Sequence, residues 1–182
     1  MREALIIIDM LNDFVTGPLK TENAAKIIPK IKSLIQKARE NGIPVIYSND
    51  AHLPNIDREF DKWGPHAIKG TEGAEVIEEL KPNEGDYIIE KRRYSGFYQT
   101  DLDMLLRELK VETVILTGLH THICVKHTAA DAFFRGYKII IPKDCVTSFT
   151  QEDHEWGLKY EREVYNAEIT NSEEIIKRWN KN

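Results

Sequence analysis

Two cysteines in 182 residues are too few for a disulfide framework, so at least one thiol is free for other chemistry. Long apolar runs are also missing, and nothing approaches the roughly 20 residues that a membrane span needs. The chain passes from a charged pair straight into a short strand-like run, with no leader pattern, so a cytoplasmic location is expected. Basic charge is scarce. The formal net charge is −5 and the longest basic run is the three residues Lys91-Arg92-Arg93, which leaves no electrostatic footprint for nucleic acid. Internal repeats, linkers and low-complexity tracts are lacking as well, and the length suits a single core, so residues 1–182 are expected to form one domain.

What is present is alternation. ALIIID reads as a strand, and from about Glu22 to Asn41 the apolar positions Ala25, Ile28, Ile31, Ile35 and Ala38 fall at helical spacing, with Gly42 as the stop. IPVIYS is a second strand. The stretch from Asn49 to Gly73 is rich in Pro, Gly, Asp and His and too long for a mere connection, which marks it as functional. A short helix over about Ala74 to Leu80, the strand DYIIE, a helix from Thr100 or Asp101 to Lys110 and the strand TVILT follow. The last third adds a helix from about Cys124 to Arg135, the strand YKIIIP, a helix from about Gln151 to Tyr165, a short strand near Ala167 to Thr170 and a terminal helix. This pattern predicts a three-layer αβα architecture with a mostly parallel six-stranded sheet and right-handed crossovers. The common Rossmann-like order 3-2-1-4-5-6 makes strands 1 and 4 neighbours where the winding reverses, and reactants bind there, outside the carboxyl ends of the strands.

Three chemically capable residues follow strand-like runs: Asp9 after ALIII, Lys91 after YIIE, and Cys124 shortly after VILTG. Singly, an acid or amine after a strand is commonly a helix cap or a solvated charge, and a cysteine is commonly a small buried hydrophobe. Together they can form one nucleophilic site. Cys124 falls at the first turn of a helix, where free N–H groups and the helix dipole favour a thiolate and can donate to an oxyanion. Lys91 supplies positive charge and Asp9 can take the proton. The implied cycle is thiolate attack on a carbonyl, loss of amine and hydrolysis of the thioester. His120, His122 and His127 lie close by and offer a competing Cys–His dyad, whereas Cys145, in PKDCVTS, reads as structural.

Asp50 and His52, just after strand 2, and His66 on the same long loop form a second constellation. Carboxylate and imidazole suit Zn²⁺, Mn²⁺ or Fe²⁺, and three protein ligands leave positions open for water or substrate.

The segment GLHTHICVKHTAADAFFRGY resembles the nucleophile segment of the isochorismatase-like cysteine hydrolases, which include nicotinamidases and N-carbamoylsarcosine amidases. ALIIIDMLNDF looks like that family's first strand with its acid, and EKRRYSGFYQTDL like its lysine segment. The resemblance implies Asp9 as general acid/base, Lys91 as the activating charge and Cys124 as nucleophile. It also implies an oxyanion hole from the backbone N–H groups of His120 and Cys124, with a non-proline cis peptide between Leu119 and His120. His120 stands where the family usually has a small residue. The stretch from Trp63 to Ala74 resembles the nicotinamidase subgroup, which implies a metal, zinc first, held by Asp50, His52 and His66. A fourth ligand of some nicotinamidases would fall near Asp57, where Asp57-Arg58 offers no histidine and water is expected to complete the shell. Phe14, Trp63 and Tyr94 resemble residues that enclose an aromatic amide.

The expected activity is therefore hydrolysis of nicotinamide to nicotinate and ammonia by a homo-oligomeric amidase with a metal orienting the ring. The alternative within the family is metal-independent hydrolysis of another small amide or ureido compound. Isochorismate hydrolysis ranks lower, because a vinyl ether needs an acid but no thiol. A noncatalytic metal- or redox-responsive binding protein is the reading from a different class.

Overall fold

A computed structural model of the chain describes residues 2–181. In chain order its elements are β1 (Glu3–Ile8), α1 (Asn12–Val15), α2 (Ala24–Glu40), β2 (Val45–Asp50), α3 (Phe60–Trp63), β3 (Tyr87–Lys91), α4 (Leu102–Glu108) and β4 (Thr113–Leu119). They continue with α5 (Lys126–Phe134), β5 (Lys138–Pro142), β6 (Val146–Thr147), α6 (Gln151–Tyr165), β7 (Glu168–Thr170) and α7 (Ser172–Trp179).

The strand at the centre shows why the apolar runs are unbroken. Along β1, Leu5 and Ile7 face one core cluster with residues of α2 and α7, while Ala4, Ile6 and Ile8 face a second cluster with residues of α4 and α5. Side chains alternate across a strand, so a strand covered by helices on both sides must be apolar at every position. Two helix layers around one sheet follow directly. The order is β3-β2-β1-β4-β5-β7, every pairing is parallel, and the six expected strands occupy the expected places.

Two differences from expectation have local causes. β5 pairs with β4 only as far as Ile115, and the two-residue β6 takes over beside Gly118 and Leu119, a seventh strand too short to leave an apolar run in the sequence. The helix expected over Ala74 to Leu80 does not form. Two 3₁₀ turns, Glu72–Ala74 and Glu78–Leu80, flank an extended stretch whose backbone bonds elsewhere: Asn12 N–H donates to the Glu75 carbonyl, Ile77 N–H donates to that of Met10, both at 3.0 Å, and Val76 bridges Leu11. Pairing across the fold satisfies groups that a helix would otherwise use. No helix among the described residues is long and apolar enough to cross a membrane.

Gly118 is the tightest point of the sheet. Its φ is +102°, and a Cβ there would lie 2.0 Å from the Ile8 carbonyl oxygen, the atom immediately before Asp9. Both the left-handed backbone and the contact with main chain demand glycine. Gly118→Ala is expected to destabilise the fold by about 4 kcal/mol or more, or to prevent folding, in a denaturant titration.

On α6, Glu161 is fully buried and neither carboxylate oxygen has a hydrogen-bond partner among the described residues. Burial pushes its pKa well above the usual carboxylate value, with Lys126 opposing weakly. The folded chain then holds a proton that the unfolded chain releases, so stability is full below the unfolded pKa of about 4.3 and declines as pH rises toward the folded value, by up to about 1.4 kcal/mol per pH unit. Glu161→Gln should remove that slope, raising the melting temperature more at pH 8 than at pH 4.

Candidate active site

Asp9 follows the last residue of β1 with φ of +52°, and its Oδ1 accepts the Asp50 N–H at 2.8 Å, which pins the carboxylate across the end of β2. Lys91 is the last residue of β3 and pairs in register with Asp50. Its ammonium, fully buried, donates to Asp9 Oδ2 at 2.8 Å and to Asp50 Oδ1, and lies 3.7 Å from Cys124 Sγ. Parallel pairing of β1, β2, β3 and β4 thus brings together residues separated by 82 and 33 positions.

The charges are coupled. Burial opposes a charged Lys91, but Asp50, Asp9 and the nearby thiol hold its pKa well above the ordinary lysine value. Burial and the neighbouring Asp50 raise Asp9 to about 6, with Lys91 opposing. Burial would raise Asp50 too, but Lys91 and His52 together draw it down to about 2. Cys124, only 6% exposed, is pushed up by burial while Lys91 pulls it back. A neutral thiol therefore sits beside a carboxylate raised toward neutral pH, which suits proton transfer between them.

Cys124 is carried not on a regular first turn of a helix but on a π-type turn, Thr121–Val125, that leads into α5. The Leu119–His120 peptide is cis, and the His120 N–H donates to no protein group among the described residues. α6 backs directly onto this turn: a Cβ at Gly157 would meet Thr121 Cγ2 at 3.0 Å and His122 N at 3.1 Å. The histidine alternative does not form. His122 Nδ1 pairs with Ser148 Oγ at 2.9 Å, His127 Nδ1 donates to the Ile123 carbonyl at 2.7 Å, and His120 Nε2 pairs with Thr21 Oγ1 at 2.7 Å. Cys145 is fully buried and remote from these groups, bonded weakly to Asp144.

Asp50, His52 and His66 do converge, and the group has a member that the sequence reading missed. Ligand atoms of Asp50, His52, Glu59 and His66 all lie within 4.8 Å of one another. Glu59 immediately follows the Asp57-Arg58 pair where a fourth ligand was sought. Nothing in the spacing singles it out, because its place at the N-cap of the one-turn helix α3 is what delivers it. Asp57 serves instead as a brace: its Oδ2 lies 3.1 Å from His52 Nδ1 and accepts the Leu53 N–H at 2.7 Å, while Arg92 holds its carboxyl well below the usual carboxylate range. His66 Nδ1 donates to the Gly64 carbonyl at 2.8 Å. Each imidazole is thus anchored through Nδ1, which turns Nε2 toward Asp50, at 3.5 Å for His52 and 3.9 Å for His66.

Buried His52 Nε2 and Glu59 Oε1 have no hydrogen-bond partner among the described residues. Unpartnered atoms on His52 and Glu59, gathered with Asp50 and His66 and with the other imidazole nitrogens braced, fit a divalent cation well. Without compensation these groups are costly: burial, then Asp50, lifts Glu59 to about 7.

The cation group and the thiol open into the same pocket. It is lined by Asp50, Glu59, His66 and Cys124 on the polar side and by Phe14, Trp63 and Tyr94 on the aromatic side. Trp63 Nε1 donates to the Tyr94 hydroxyl at 3.0 Å, which fixes both rings. Leu19, His120, Ile123 and Phe149 complete the wall. Phe149 had no sequence signal, since it reaches the pocket only because β6 and α6 pack against the nucleophile turn.

A parallel three-layer sheet with a thiol, a lysine and a carboxylate buried together at its carboxyl edge is the layout of a cysteine-dependent hydrolase. The isochorismatase domain model matches residues 3–174, and the chain belongs to the isochorismatase family of hydrolases. Among solved structures, N-carbamoylsarcosine amidase from Thermoplasma acidophilum is 44% identical, with a TM-score of 0.89 over 94% of this chain and 97% of that one. Nicotinamidase PncA from Bacillus subtilis is 39% identical, with a TM-score of 0.89 over 94% of this chain and all 100% of the other. A pyrazinamidase of Pyrococcus horikoshii in complex with zinc is 34% identical, with a TM-score of 0.87 over 94% and 99% of the two chains.

The brace on His52 yields a direct test. Asp57→Asn should lower Zn²⁺ affinity by about 10–100-fold in a competition titration against a chelating dye, while the far-ultraviolet circular dichroism stays unchanged.

Proposed function

We propose that this hydrolase is an amidase converting nicotinamide to nicotinate and ammonia. The observation that carries the reading is that the cation group and Cys124 share one pocket with the aromatic walls Phe14, Trp63 and Tyr94. When bound, a divalent ion, zinc first, supplies a Lewis-acidic anchor for a pyridine nitrogen. The aromatic walls hold a flat ring edge-on or stacked, so that its carboxamide meets the thiol.

Asp9 takes the proton from Cys124 Sγ as sulfur bonds to the amide carbon, and Lys91 holds the combined charge of Asp9 and Asp50 in place. The oxyanion is met by the backbone N–H groups of His120 and Cys124. Asp9 returns the proton to the amide nitrogen, the C–N bond breaks and ammonia departs. Water then attacks the thioester, Asp9 takes its proton and passes it to the departing Sγ, and the acid is released.

A second reading, hydrolysis of a ureido compound, is favoured by the similarity to N-carbamoylsarcosine amidase. That substrate carries a carboxylate. Here the pocket presents Asp50 and Glu59 and no arginine or lysine among its described lining residues, which favours an uncharged amide.

Ammonia release decides between them. Purified protein should release ammonia from nicotinamide, lose that activity on chelation and regain it with Zn²⁺, Mn²⁺ or Fe²⁺. Cys124→Ala should abolish turnover, and Asp9→Asn should lower kcat by about 10²–10⁴-fold while the metal content is retained. Metal-independent release from a ureido acid, with none from nicotinamide, would establish the second reading.

A further inference from the structure

The pocket as it stands has a cavity of about 20 Å³, room for roughly one water and not for an aromatic ring. Phe149 is what fills it. Its ring stacks on His120 with centroids 4.0 Å apart and on Trp63 at 5.8 Å, both at 27° between planes. A flat ring stacked at a shallow tilt on two aromatic neighbours is an arrangement that a planar acyl group would itself adopt. His120 suits the part. Burial lowers its pKa to about 3, so it is a neutral flat ring, and its bond to Thr21 Oγ1 holds it in place.

The main chain on either side of Phe149 is tied down. Ser148 Oγ pairs with His122 Nδ1 at 2.9 Å, and Thr150 caps α6 by accepting the Asp153 N–H at 3.0 Å. His154, one turn into α6, pairs with Thr121 Oγ1 at 2.9 Å. The Ser148 and His154 bonds both lead to the turn that carries Cys124. The Phe149 side chain is nonetheless 37% exposed, whereas Ser148 beside it is fully buried. None of these hydrogen bonds involves the Phe149 side chain.

We propose that Phe149 is a specificity-determining residue, a movable wall that occupies the slot between His120 and Trp63 and swings aside for a flat acyl group of about one ring. The occupant class rests on the amidase reading above, but the gate itself does not. Bulkier acyl groups are excluded because they meet the Phe149 ring itself, whose main chain is anchored on both sides, while His120 and Trp63 are held by Thr21 and Tyr94.

The test uses the thiol itself, so that it stands whatever the natural substrate. The full-length protein is alkylated with iodoacetamide and with N-(1-naphthyl)iodoacetamide, and the rate at Cys124 is read from peptide masses. Cys145, fully buried in the other core cluster, reports any general loosening. In the wild type the naphthyl reagent should lag iodoacetamide by at least about 10-fold, a ratio that Phe149→Ala and the gentler Phe149→Leu reduce in turn and Phe149→Trp restores, with Cys145 unlabelled throughout. The same variants should shift kcat/KM from pyridine-3-carboxamide toward quinoline-3-carboxamide. A naphthyl-to-iodoacetamide ratio in both truncations within about twofold of the wild type overturns the proposal, as does relief that appears only together with Cys145 labelling. If the wild type hydrolyses neither carboxamide, the nicotinamide reading falls and the alkylation ratio still decides the gate.

Discussion

The burial of one ammonium between two carboxylates is the constraint on which the rest depends. Lys91 is removed from water at the end of β3, and the carboxylates Asp9 and Asp50, at the ends of two different strands, compensate it. An isolated buried charge costs several kcal/mol, and truncating one partner of such a group typically costs about 3–5 kcal/mol because the remaining charge is stranded. The three strand ends must therefore stay in register for the fold to tolerate its own site. Gly118 serves the same end, since its lack of a side chain lets β4 approach the last residue of β1. The same register places Cys124 within reach of Lys91.

Asp50 belongs to two systems at once. One oxygen accepts from Lys91 and the other faces His52 and His66. A cation held on the side of His52 and His66 would act on the charge balance around the thiol through this one carboxylate. The long loop after β2 earns its length in this way. It threads α3 so that Glu59 and Trp63 face the pocket from one side, and its closing segment is bound to the opposite side of the site where Asp13 Oδ2 accepts the Ala67 N–H at 2.8 Å.

Legibility followed the range of the interactions. The six main strands, their order and the helices α2, α4, α5, α6 and α7 were readable because each buries a periodic apolar pattern that its own residues carry. Asp9, Lys91 and Cys124 were readable because each sits just beyond such a pattern. The helix expected over Ala74 to Leu80 failed for the opposite reason: its backbone is claimed by Met10 to Asn12, more than sixty residues away in sequence. Glu59 was missed because an acidic residue on a polar loop is unremarkable until His52 and His66 stand beside it. Asp57, two residues earlier, looked the better candidate and proved to be a brace for His52.

By itself the sequence determined the layers, the order of the strands and the kinds of chemistry available, because periodicity and residue type are local properties. Only the tertiary structure decided which groups share a pocket. It set the single lysine between two carboxylates, turned both imidazoles through their Nδ1 bonds, brought Glu59 to complete the cation group and laid Phe149 between His120 and Trp63. Those outcomes depend on side-chain directions and on contacts between distant segments, and no window of residues along the chain contains them.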